Sequence, residues 1–209
     1  MLNEQVIESV HQFAEVALKD VEQTTAKILS MTAQIMQMGA YVEKNSVDPV
    51  RDGMNRLHNA HKAMRYLDST KGFALGNEGE ERTVAAQMEQ AIVTIMQARA
   101  DVLGFWTHTT RRLVKVRQAQ NLETHSNAAR ALYSLAVKQA KLAKDESKQV
   151  NKRAKSSGLL EFVVHLHHRP SSLTVEPDRR HRTAHVLQHG SAARRCKGAF
   201  PTGGTRAHA

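Results

Sequence analysis

The sequence predicts an all-α fold: an elongated antiparallel bundle of three long helices and one shorter helix, with an irregular C-terminal tail. Apolar residues recur at steps of three and four over two long stretches, which is the spacing of helices that bury one stripe. Hydrophobic residues make up 41% of the 209 residues but aromatic residues only 4%, a composition that favours packed helices over sheets. No proline occurs between Pro49 and Pro170, which permits long helices.

The first helix is predicted from Glu4 to about Lys44. Its apolar seam consists of Val6, Val10, Phe13, Ala17, Val21, Thr24, Ile28, Met31, Ile35, Met38 and Val42. A weaker second stripe widens the apolar face beyond what a two-stranded coiled coil needs, so the pattern indicates a multi-helix bundle. A second helix is expected to restart at Asp48, a good N-cap, with Pro49 at its first position, and to run to Leu67.

A glycine-containing loop over residues 69–79 separates the second helix from the third, which is predicted to begin near Glu80. The seam of the third helix consists of Val84, Met88, Ala91, Ile95, Ala98, Val102, Phe105, Thr109, Leu113 and Val116. One extra step of four in this seam is a stutter, which locally unwinds a supercoil. Trp106 falls beside the seam and is expected to pack at the edge of the bundle.

The fourth helix is predicted from about Glu123 to Lys155, with a thin apolar stripe. The stripe consists of Ala128, Leu132, Leu135, Leu142 and Val150. Neither glycine nor proline enforces a turn near Asn121, so the third helix either turns back there or continues; we favour the turn. Thin stripes on the second and fourth helices cannot cover the wide faces of the other two, and the apolar surface left over predicts an oligomer.

Positive charge is concentrated after residue 110. The formal net charge is −4 over residues 1–110, +9 over residues 111–155 and +5 over residues 156–209, within a total of +10. Six lysines at steps of three and four are predicted to share one face of the fourth helix. The candidate anion or nucleic-acid contacts are Arg111, Arg112, Lys115, Arg117, Lys138, Lys141, Lys144, Lys148, Lys152 and Lys155.

This basic face has two interpretations. It is able to neutralise phosphates of nucleic acid or of another anionic surface, and it is also typical of the solvated side of a long helix. If the chain turns near Asn121, the arginine-rich cluster and the lysines are expected to lie side by side. No aromatic residues are interleaved with the lysines, so stacking on single-stranded bases is not predicted.

The sequence contains no convincing catalytic or metal-binding motif. Glu8-x-x-His11 resembles half of a di-iron carboxylate motif, but no second half exists and both residues lie off the seam, so they are expected to face solvent. The single cysteine, Cys196, cannot form an intramolecular disulfide. Phosphate-loop, dinucleotide, nucleophile-elbow and zinc signatures are lacking. We therefore predict no cofactor, no metal and no enzymatic activity.

Two domains are predicted: a helical bundle over residues 1–155 and a mostly irregular His/Arg-rich tail over residues 156–209. Within this tail, residues 159–164 suit a short strand or a helix end. The tail is either native sequence or an extension, such as one that arises from a shifted reading frame. The chain has no apolar run of the length that spans a membrane and no signal-peptide pattern, so we expect a cytoplasmic protein.

The function that these features favour is that of a non-enzymatic structural or assembly protein. It would form helix-mediated homo-oligomers or a larger protein complex. The alternative is a nucleic-acid-binding helical module that uses the basic face at residues 111–155.

Overall fold

The computed structural model describes residues 2–38, 44–71, 78–156 and 158–167. These residues form five helices and no strand, which confirms the predicted all-α bundle. The helices are α1 (Glu4–Gln37), α2 (Lys44–Ser69), α3 (Glu78–Ala119), α4 (Glu123–Lys155) and α5 (Leu159–His167). No helix in this part of the chain is long and apolar enough to cross a membrane.

Contacting side chains fix the direction of each helix. Side-chain pairs join α1 to α2, α2 to α3 and α3 to α4. In each set, the residue numbers on one helix increase while those of their partners on the other helix decrease. The pairs are Glu22–His61 and His11–Asp68, then Arg56–Asp101 and Tyr66–Gln87, then Arg99–Glu146 and Gln97–Ser147. Each helix from α1 to α4 therefore runs antiparallel to the next one in the chain, and α1 and α3 run parallel.

The first three helices pack against one another, whereas α4 lies on the outside of α3. In the described part of the chain, α4 makes no backbone contact with α1 or α2. The short helix α5 contacts α1, α3 and α4. The architecture is thus a three-helix bundle that carries a fourth helix on one side.

Helix α1 begins where its sequence supplies a cap and buries the predicted seam. The Asn3 side chain accepts a hydrogen bond from the Val6 amide at 2.8 Å, which satisfies one of the free N–H groups of the first turn. Every seam residue from Val10 to Ile35 is buried, while Val42 lies outside the described residues. The helix ends at Gln37, earlier than predicted.

Helix α2 begins at Lys44, ahead of the predicted restart at Asp48. Residues 45–49 are therefore part of α2, and the predicted break at these residues is wrong. A proline within a helix removes one i to i−4 hydrogen bond and disfavours the α conformation of the residue before it, which is why the sequence pattern predicted a restart at Asp48. At Gly53, an added methyl group would lie 3.8 Å from Phe105 Cδ2, as expected where α2 approaches a neighbour closely.

Helix α3 buries two stripes because it packs on all four of the other helices. Seven residues of the predicted seam are buried, from Met88 to Leu113. The second buried stripe consists of Ile92, Met96, Arg99, Leu103, Trp106 and Thr110. Trp106 is therefore an interior residue, and the expectation that it packs at the bundle edge is wrong, because α3 is the central helix.

The predicted turn near Asn121 is confirmed. The Leu122 amide donates to the Arg117 carbonyl and the Asn121 amide donates to the Gln118 carbonyl, both at 3.1 Å. Asn121 lies between the two helices with φ of 54°. This is a Schellman motif with asparagine in the left-handed position, where asparagine is the usual substitute for glycine.

Helix α4 contacts α3 through small residues instead of through its leucines. Its buried residues are Ser126, Ala129, Ala136, Ala143, Ser147 and Val150. Of the predicted stripe, only Val150 is among them; the leucines are exposed. Small side chains let the two helix axes approach closely, and the large side chains of α3 fill the space between them.

Helix α5 extends the helical unit beyond residue 155. Leu159 and Val163 are fully buried at its contacts with the bundle. The first part of the predicted tail is thus helical and packed, since its apolar residues recur at a helical spacing of four. Residues 168–209 lie outside the described residues.

Candidate functional site

All six lysines of α4 are exposed, on the side of the helix away from its buried stripe. We call this set the lysine face: Lys138, Lys141, Lys144, Lys148, Lys152 and Lys155. Lys148 Nζ lies 3.7 Å from Asp145 Oδ1, while no carboxylate of the described residues lies within 4 Å of the other five ammonium groups. The lysine face is a surface of mostly uncompensated positive charge.

The arginine-rich cluster at the end of α3 is partly used by the fold. Arg117 donates from Nη1 to the His125 carbonyl at 3.0 Å and from Nη2 to Gln34 Oε1 at 3.4 Å. Arg112 is half-buried and also makes an interaction, whereas Arg111 and Lys115 are exposed. Only part of the cluster is therefore available to a ligand.

The cluster and the lysine face follow one another along the bundle. The Arg99–Glu146 and Gln97–Ser147 pairs set the register of α3 against α4, and this register brings Lys115 level with Arg130. Lys138 begins roughly 12 Å further along the axis, since eight residues of helix separate it from that level. By the same register Arg111 lies roughly 6 Å before the level of Lys138, so the two clusters meet end to end instead of lying side by side along their length.

A second exposed feature of α4 is an apolar row that we call the leucine row: Leu132, Leu135 and Leu142. Their exposed fractions are 36%, 38% and 49%. With Gln139 between them, they follow the alternating three- and four-residue steps of a coiled-coil seam. Glu146 continues this row and reaches Arg99 at the α1 side of α3, so the leucine row lies on the side of α4 that faces α1.

Between α1 and α4 lies a furrow whose floor is α3; we call it the α1–α4 furrow. Both helices pack on α3, yet they do not meet in the described part of the chain. On the α1 side, the Lys27 ammonium lies 5.1 Å from the centre of the Trp106 ring, a cation–π contact. The leucine row forms the opposite wall.

A buried arginine crosses this furrow. Arg99 donates from Nε to Asp20 Oδ2 at 2.6 Å and from Nη1 to Glu146 Oε2 at 2.5 Å. Its side chain is 8% exposed, against 33% and 26% for the two carboxylates. The planar guanidinium thus joins three helices. Sequence reasoning missed it, although an arginine inside the otherwise apolar second stripe of α3 was a usable signal.

His11 is buried between α1 and α2, so the expectation that it faces solvent is wrong. Neither ring nitrogen meets a described residue with full hydrogen-bond geometry, and Nδ1 lies 3.6 Å from Asp68 Oδ1. Burial lowers the pKa of His11 below 6.5, and the positive charge of Lys71 lowers it further, while Asp68 opposes both. The error arose because α2 covers a side of α1 that the seam alone does not mark; Glu8 is exposed as predicted.

Within the described ranges, no three His, Cys, Asp or Glu side chains are grouped so that they could hold a metal ion. Cys196 lies outside those ranges. Comparison with protein-family models, with curated proteins and with solved structures gives no match. The lysine face and the leucine row of α4 are therefore the candidate interaction surfaces.

Proposed function

We propose that this chain is a non-enzymatic assembly protein of the cytoplasm, whose leucine row docks a helix of another polypeptide. The observation that carries the proposal is the division of α4 into two apolar stripes. One stripe, which we call the alanine stripe, contains Ala129, Ala136 and Ala143 and packs against α3. The other is the leucine row, which is exposed and has coiled-coil spacing. Contiguous exposed apolar surface is typical of interaction sites, and the three partly exposed leucines share one face of α4.

The location of the leftover apolar surface differs from the sequence expectation and strengthens the proposal. The main seam of α1 and both stripes of α3 are largely covered within the chain, while Leu29 and Met36 of the weaker α1 stripe stay exposed and α4 carries the exposed leucine row. Because α4 is held by α3 along a single stripe, its other faces are presented on a rigid support.

The test is the native mass of the assembly that the full chain forms in cells, measured by light scattering after purification. We expect a mass above that of one chain, reduced to one chain by the double substitution Leu135→Gln and Leu142→Gln. The matched control is Val137→Gln, an exposed apolar residue on a different face of α4. A single-chain mass for the unsubstituted protein, or equal masses for both variants, would contradict the proposal.

A second candidate function, nucleic-acid binding, is supported by the uncompensated charge of the lysine face. A protein that neutralises phosphates releases counterions, so its affinity falls steeply with salt. Duplex DNA or RNA binding should then show a steep salt dependence that the triple reversal of Lys141, Lys144 and Lys148 to Glu removes. Absence of binding at low salt would exclude this candidate.

A further inference from the structure

We infer that the open part of the α1–α4 furrow binds an acidic amphipathic helix of a partner protein. The inference rests on the proposed function and names the chemistry of the partner. The partner's apolar face would cover the leucine row, and its carboxylates would pair with Lys138 on the α4 rim and Lys27 on the α1 side.

The chain itself shows that this furrow accepts a helix. Helix α5 contacts α1, α3 and α4 together, so it lies at one end of the furrow. Leu159 and Val163 are fully buried there, and the Phe162 ring lies 5.4 Å from the Arg153 guanidinium. The short apolar helix of this chain thus occupies one end of the furrow, and along the rest of it the leucine row is partly exposed above an α3 floor that is already buried at Leu103 and Trp106.

The open part has the length of a partner helix. Leu132 and Glu146 are fourteen residues apart on α4, a span of roughly 21 Å, which matches about four turns of a second helix. The leucine row supplies apolar contacts at the spacing that a helix with a heptad pattern would match. An extended strand would meet only alternate residues at a different spacing.

The charges around the furrow select the partner. Lys138 lies three residues after Leu135 and four before Leu142, so it borders the leucine row directly. The furrow's own carboxylates, Asp20 and Glu146, are both engaged by Arg99. Lys27 lies over the Trp106 ring, and among the described residues no carboxylate lies within 4 Å of the Lys27 or Lys138 ammonium, so a helix with flanking glutamates would be complementary to these rims.

The same charges disfavour two other occupants. An antiparallel α4–α4 contact between two copies through the leucine row would place Lys138 close to Lys138 of the second copy, and like charges repel. Residues 168–209 of this chain carry eight Lys or Arg and two Asp or Glu, a net charge of +6, so their composition does not supply an acidic helix. An acidic partner helix has neither disadvantage.

The experiment uses the full chain and a fluorescent synthetic peptide of about three heptads, with Leu at positions a and d and Glu at positions e and g. Binding is followed by fluorescence anisotropy. We expect Lys138→Glu, and separately Leu135→Gln with Leu142→Gln, to weaken binding about tenfold. The control Lys144→Glu carries the same charge change on the side of α4 away from the leucine row and should keep the affinity within about twofold.

A second peptide with Lys at positions e and g tests the sign of the interaction. It should not bind the unsubstituted chain, and Lys138→Glu should improve its binding. Circular dichroism and the urea midpoint of each variant establish that the fold is intact; if the leucine variants unfold, the comparison of Lys138→Glu with Lys144→Glu decides alone.

Three results would overturn the inference. They are equal weakening by Lys138→Glu and Lys144→Glu, tighter binding of duplex DNA or of vesicles with anionic lipid than of the acidic peptide, and no peptide binding. If the peptide fails while the leucine substitutions still reduce the native mass, the partner chemistry is wrong and the assembly function stands. If the native mass does not respond, the assembly function itself fails.

Discussion

Arg99 of α3 and Asp20 of α1 form a hydrogen-bonded ion pair at 2.6 Å, and the other side of the same guanidinium holds Glu146 of α4. The pair joins two parallel helices, and Glu146 adds the outer helix that contacts neither α1 nor α2 in the described part of the chain. This junction fixes the register of α4 and hence the positions of the leucine row and the lysine face.

We predict that Arg99→Met destabilises the protein by about 3 kcal/mol, near the low end for a broken buried pair because both carboxylates keep some contact with water. Urea unfolding of the full chain measures the change. Adding Asp20→Asn and Glu146→Gln should recover part of the loss, because no unpaired charge remains. The more exposed Arg56–Asp101 pair is the control, and Arg56→Met should cost less than about 1 kcal/mol. Equal losses for both arginines would contradict the prediction.

The buried imidazole of His11 predicts a loss of stability in mild acid. Because its folded pKa lies below the 6.5 of the unfolded chain, the unfolded state takes up the proton first as the pH falls. The stabilisation is therefore complete above pH 6.5 and is lost as the pH falls below 6.5 towards the folded pKa.

Urea unfolding at about pH 8 and about pH 5 tests this. His11→Leu should reduce the difference in unfolding free energy between the two conditions, since Glu8, Asp68 and Lys71, the charged groups facing the ring, remain. The exposed His58→Leu is the matched control and should retain the full difference. An unchanged pH dependence in His11→Leu would show that other groups cause it.

The alanine stripe between α3 and α4 predicts intolerance to larger side chains. Ala136 and Ala143 are completely buried, so Ala143→Leu must displace α4 or distort neighbouring side chains. We expect a loss of about 2 kcal/mol in the free energy of unfolding. Ala131→Leu, at an exposed position on the same helix, should change it by less than about 0.5 kcal/mol. A neutral Ala143→Leu would mean that α4 is not held through this stripe.

The positive φ of Asn121 predicts a specific order of substitutions in the α3–α4 turn. Asn121→Ala should cost about 1 kcal/mol, because a Cβ without a compensating polar group is disfavoured in the left-handed region. Asn121→Gly should preserve or raise the stability, because glycine adopts this conformation freely. Thermal unfolding of the two variants checks this order. Equal stabilities of Asn121→Ala and Asn121→Gly would argue against a left-handed conformation at residue 121.

The sequence by itself determined the helical class, the buried seam of α1 and the exposure of the six lysines. Each agrees with the spacing of residues along a single helix, because here the neighbouring helices pack on the side that this spacing marks. The turn at Asn121 was predictable only as a preference, because asparagine permits the left-handed conformation without requiring it.

Only the tertiary structure decided which stripe of α4 is buried. Hydrophobicity alone favours the leucines, but a helix that must approach the large side chains of α3 closely buries the stripe of smallest volume. The same dependence on neighbours explains the interior positions of Arg99, Trp106 and His11, since each is buried by a helix distant in sequence. The spacing of these leucines predicts a buried stripe. In the structure they are exposed, because the alanine stripe packs against α3 instead.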